Sequence, residues 1–78
     1  MRLMTEYVIT QRRESFENDK KVFELLLTPS VLGSAAKRII LSGADWLTFM
    51  LGDTVGYETG KLWHKELPDH PIEVEEHS

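Results

Sequence analysis

The chain contains no cysteine, so no disulfide can staple it and no thiolate can act as nucleophile or zinc ligand. That composition suits a reducing, cytoplasmic setting. Long apolar runs are missing too: Leu25–Leu27 and Ile39–Leu41 are among the longest, far short of the roughly 20 residues a membrane helix needs. No membrane partner is expected. The opening Met1–Glu6 has one basic residue and no apolar stretch, so a signal peptide is not expected either. No internal repeat and no low-complexity segment occurs.

What is present is small. A chain of 78 residues holds one modest core, and at about 0.05–0.15 kcal/mol per residue a partner could supply a large share of its stability. We expect a single domain over residues 1–75, with 76–78 a frayed tail. The net charge of −4 is uneven. Residues 1–38 carry seven Lys/Arg against five Asp/Glu, whereas residues 39–78 carry two against eight. Basic residues cluster only as Arg12-Arg13, Lys20-Lys21 and Lys37-Arg38, a weak footprint for phosphate-driven nucleic-acid binding.

Residues 3–10 alternate, with Leu3, Thr5, Tyr7 and Ile9 on one side, and predict a strand. After the possible caps Ser15 and Asn18, the spacing of Phe16, Phe23, Leu26 and Leu27 predicts a first helix ending near Leu27. Thr28-Pro29 reads as a helix restart, and Leu32, Ala35, Ala36, Ile39 and Ile40 repeat at helical spacing. Ser42 followed by Asp45 matches a capping box ahead of a third helix over residues 43–51, closed by Gly52; a buried strand is the competing reading there. Glu58-Thr59-Gly60-Lys61 sits between Val55, Tyr57 and Leu62, Trp63 as a hairpin turn. Pro68 and Pro71 break regular structure before a brief alternation over Ile72–Glu75. These elements predict an α+β domain: an N-terminal strand, two to three consecutive helices, and a C-terminal β-hairpin forming a short antiparallel sheet.

Catalytic motifs are absent. Gly56 to Lys61 looks at first like a phosphate loop, but Val55 stands where that loop needs glycine and Leu62 where it needs Ser or Thr. His64, His70 and His77 match no metal spacing, and the serines sit where caps and helix contacts explain them, with no nucleophile–base set. We therefore expect no enzyme activity, no metal and no cofactor.

Two shapes remain. The second and third predicted helices, joined at Ser42-Gly43, have the length of a helix-turn-helix, but the last would offer only Asp45 and Thr48 to base edges, so DNA binding is the alternative rather than the leading reading. The leading reading rests on apolar excess. Trp46, Leu47, Phe49, Met50 and Leu51 surround a short helix, and its second side needs a cover, either a self-association or partner surface or the hairpin and terminal strand folding over it. Trp46, Phe49 and Met50, extended by Tyr57 and Trp63, are the expected partner-binding residues. On this reading the chain is a non-catalytic regulatory or adaptor protein that acts by protein–protein binding as a homodimer, on a protein partner whose identity the sequence does not give.

Overall fold

A computed structural model describes residues 6–77. Among these residues seven strands form one antiparallel sheet: β1 (Glu6–Glu17), β2 (Lys20–Pro29), β3 (Lys37–Leu41), β4 (Thr54–Glu58), β5 (Lys61–His64), β6 (Ile72–Glu73) and β7 (Glu75–Glu76), with one short helix, α1 (Gly43–Trp46), between β3 and β4. The strand order is β6-β5-β4-β1-β2-β3-β7. The expected α+β architecture is thus corrected to a nearly all-β one. Of the strand predicted over residues 3–10, Leu3 to Thr5 lie outside the described residues, and the rest opens β1.

The first predicted helix is instead the β1–β2 hairpin. Asn18 and Asp19 both adopt positive φ, 51° and 64°, as a two-residue hairpin turn with a twist matched to its strands requires. Asn18, taken as a cap, is therefore the turn itself. Phe23, Leu25 and Leu27 alternate as well as Phe23, Leu26 and Leu27 recur, and in so short a run pairing decides the period. The second predicted helix is a connection with Gly33 at φ 94°, followed by β3, where the β-branched Ile39 and Ile40 suit a pleated surface. Pro29 closes β2 opposite Tyr7, where no ladder N–H is needed.

β6 and β7 are two halves of one segment. β6 pairs with β5 through Leu62↔Ile72, and β7 pairs with β3 through Ile40↔Glu75, so the C-terminal segment joins both edges and closes the sheet into a barrel. Between the halves, the Val74 N–H donates to Gly60 O at 2.9 Å and its side chain enters the core. Closure covers the exposed edges that an open sheet of this size would leave. Inside lie Ile9, Leu25, Leu27, Ile39, Val55 and Leu62, all nearly inaccessible.

Two departures from a plain barrel position the surfaces of interest. A bulge between Ile9 and Gln11 shifts the β1–β2 register; beyond it β1 leaves β4, with which it pairs only over Glu6–Val8, while β2 keeps β3 beside it as far as Phe23, so that only the tip from Ser15 to Val22 runs on as a two-stranded arm. At the same end of the barrel α1 forms a cap. Ser42 opens it, its hydroxyl accepting from the Asp45 N–H at 3.1 Å, and regular helix ends after a single turn.

Candidate functional site

The capped end is built by residues 42–53 crossing from β3 to β4. Gly52 N–H donates to Ile9 O at 2.9 Å and Ile9 N–H to Asp53 O at 3.0 Å, which bonds the segment to the middle of β1. Trp46 and Phe49 point into the barrel and are 7% and 2% exposed. Leu47, Met50 and Leu51, by contrast, are 68%, 54% and 61% exposed. One short segment therefore supplies both the plug of the barrel and an apolar outer surface. Leu67, half exposed, lies on the loop that leaves β5 at this end; its N–H donates to His64 O at 2.9 Å.

Trp46 is fixed on three sides. Its indole N–H donates to Glu24 O at 3.1 Å, its ring tilts against Phe23 with centroids 5.2 Å apart, and the Arg12 guanidinium lies 3.8 Å over it. Arg12 also donates from a terminal nitrogen to Trp46 O at 3.0 Å, while its Nε is buried without a partner. This is an anchoring contact: a planar cation on an indole face, with one terminal nitrogen bonded to the carbonyl of the same residue.

His64 fastens the other side of the cap. Its ring stacks on Phe49 at 4.0 Å and 7°, and Nε2 lies 2.9 Å from Thr48 O. A carbonyl can only accept, so Nε2 carries the proton. The Asp53 carboxylate lies 3.6 Å from the same nitrogen and accepts the Met50 N–H at 2.9 Å. Both polar groups are committed to holding the cap. They border an open cleft of about 760 Å³ between Gly52–Thr54 and His64–Leu67, and among its lining residues no nucleophile is hydrogen-bonded to the imidazole. No group of three metal-ligating side chains occurs among the described residues, and no helix there is long and apolar enough to cross a membrane.

The sequence singled out Trp46, Phe49, Met50, Tyr57 and Trp63 as one patch, and the structure separates them. Trp46 and Phe49 are core, and Met50 is outside. Tyr57 packs edge-on against Tyr7 at 6.1 Å and donates to Glu76 at 2.8 Å, where the closing segment meets the barrel wall. Burial first, and the hydrogen bond to Glu76 second, raise its hydroxyl above the ordinary tyrosine value. Trp63 alternates with Leu62 and lies on the opposite face of the sheet, across Gly56. The outer residues Leu47, Leu51 and Leu67 are those that sequence reasoning did not select; the signal available was only that Phe49, Met50 and Leu51 in a row cannot all face inward.

Among the described residues nothing brings two helices together as a helix-turn-helix: its first member is the connection over 30–36 followed by β3, and its second is the single turn of α1. The basic pairs lie on strands rather than helix faces. Lys37 meets Glu76 at 3.6 Å, Arg38 meets Glu24 at 3.3 Å and Lys21 meets Glu14 at 3.1 Å.

No protein-family model, curated protein or solved structure matches the chain.

Proposed function

We propose that this chain is a non-catalytic binding module that seats another protein on the apolar surface of its capped end. One observation carries the reading. Within Trp46–Leu51 the two aromatic residues fill the barrel while Leu47, Met50 and Leu51 are each more than half exposed. Single exposed leucines need no explanation, but three in five positions on a hydrogen-bonded cap form a fixed apolar platform. The cap is held by Arg12, His64 and Asp53 without help from those three side chains, so they are available for contact. An apolar centre interleaved with polar groups, here Asp45 and Thr48 of the same segment, is the usual anatomy of a protein-binding patch. A cysteine-free chain of this kind suits the cytoplasm.

The test replaces Leu47, Met50 and Leu51 together by serine. Circular dichroism and a urea melt establish that the barrel persists, and wild-type and variant proteins are then used side by side to capture partners from the native cell. Proteins held by the wild type and lost by the folded variant support the reading; identical capture by both rejects it.

A further inference from the structure

Beyond the capped end, the arm carries a second unfinished surface. β1 has β2 on one side along its whole length, but on the other side only Glu6–Val8 pair with β4, and Ile9 bonds to Gly52 and Asp53. From Arg12 to Glu17 no strand among the described residues lies beside that outer edge. Which residues face outward follows from the turn. In a two-residue hairpin the flanking pair, here Glu17↔Lys20, exchanges the ladder hydrogen bonds, and the pairs then alternate. Ser15 and Arg13 therefore bond toward β2, while Arg12, Glu14 and Phe16 turn their N–H and C=O groups outward. Unpaired edges of this kind are templates for another strand.

We propose that this edge pairs antiparallel with the same edge of a second copy of the chain, about a two-fold axis at Ser15. Two-fold symmetry about an axis through the sheet allows only registers that place one residue opposite itself. Centring on Glu14 sets glutamate against glutamate, and centring on Arg13 sets arginine against arginine; like charges directly opposite are unfavourable. Centring on Ser15 sets Arg13 opposite Glu17 of the second copy, twice. It also places Glu14 opposite Phe16, both with outward-facing backbone groups, so these pairs exchange their main-chain bonds.

The charge pattern extends across the joined arms. Glu24 is already opposite Arg13, and Lys20 opposite Glu17, on β2. A row through both copies would then read Glu24, Arg13, Glu17, Lys20, alternating in sign over four strands. Arg13 and Glu17 are both exposed in the single chain. Phe16, 73% exposed at the tip, would be partly covered by the neighbouring arm. Self-recognition by strand addition draws its affinity from the main chain and its register from the side chains.

The experiment exploits the symmetry. Arg13→Glu and Glu17→Arg each put like charges opposite one another in a self-pair. Mixed together, however, the two variants restore an opposite-charge pair at both sites. Sedimentation equilibrium should show a dimer for the wild type, an at least tenfold weaker association for each variant alone, and a dimer again for the equimolar mixture, with circular dichroism confirming that all are folded. A wild type that stays monomeric at millimolar concentration overturns the proposal. So does a dimer that neither variant weakens, or a mixture that does not recover. Glu14→Pro supplies a second check, because it removes an outward N–H without touching the β2 ladder and should also weaken the dimer. The arm and the capped end share no variant here, so loss of either reading leaves the other standing.

Discussion

Trp63 lies across Gly56 so closely that a Cβ at position 56 would meet the indole at 2.3 Å. The two residues are direct cross-strand partners on β4 and β5. Glycine is kept here for space, since Gly56 does not have the positive φ found at Gly33, Gly52 and Gly60. Gly56→Ala usually favours a strand by limiting the unfolded chain, but here it must displace a large ring. We expect it to lose about 1–3 kcal/mol in a urea melt, the range for overpacking, and Gly56→Ala with Trp63→Leu to lose less than the sum of the single changes.

Arg12 presents a different balance. Its stack on Trp46 and its bond to Trp46 O favour the cap, while its buried Nε lacks a partner. Arg12→Met keeps the stem that packs and removes the unpaired donor; Arg12→Lys keeps the charge but loses the planar stack. Met should therefore be the milder change, by about 1 kcal/mol, and thermal melts of the two variants test the order.

Ser42→Ala removes the hydroxyl that accepts the Asp45 N–H. The helix it opens is one turn long and exposed to water there, so the expected loss is about 0.5–1 kcal/mol, the lower part of the capping range. A silent substitution in urea melts would show that the turn holds without its cap.

Tyr57 and Glu76 couple barrel closure to alkaline pH. Burial and the hydrogen bond to Glu76 raise the Tyr57 hydroxyl in the folded state, so its contribution is complete below the unfolded value of about 10 and is lost as pH rises through the folded one. Ionisation would also place a phenolate beside the Glu76 carboxylate. Tyr57→Phe should therefore cost stability at neutral pH and flatten its decline above about pH 10, as followed by chemical melts across pH. A decline of unchanged steepness in the variant would assign it to another group.

Phe49 and Met50 are adjacent yet opposite in surroundings. Phe49 is 2% exposed and Met50 54%. Phe49→Ser should lose about 3–5 kcal/mol or unfold the chain, because it leaves a cavity under the cap and buries a hydroxyl. Met50→Ser should stay within about 0.5 kcal/mol of wild type. Parallel urea melts read both.

Several features were legible locally. The turn at Thr59-Gly60, the alternation that opens β1 and the cap at Ser42 each depend on neighbours a few residues apart, so the residue types carry them directly. The segment from Ser15 to Leu41 did not yield to the same reasoning. Phe23, Leu25, Leu26 and Leu27 satisfy both a helical and a strand period, and Asn18 suits a helix cap as well as a positive-φ turn. Strands beside β2 on both sides, β1 and β3, settle the choice, and no local signal announces them.

The same division runs through the candidate sites. From the sequence alone follow the absence of cysteine chemistry, the lack of a catalytic motif and the apolar surplus between Trp46 and Leu51. Tertiary structure alone decided that Trp46 and Phe49 plug the barrel while Leu47, Met50 and Leu51 face out, that Trp63 lies on the far face of the sheet, and that Ile72–Glu76 closes it. The reason is physical: residue type sets how much surface must be buried, whereas which side of a short segment meets the core depends on strands that pair across tens of residues.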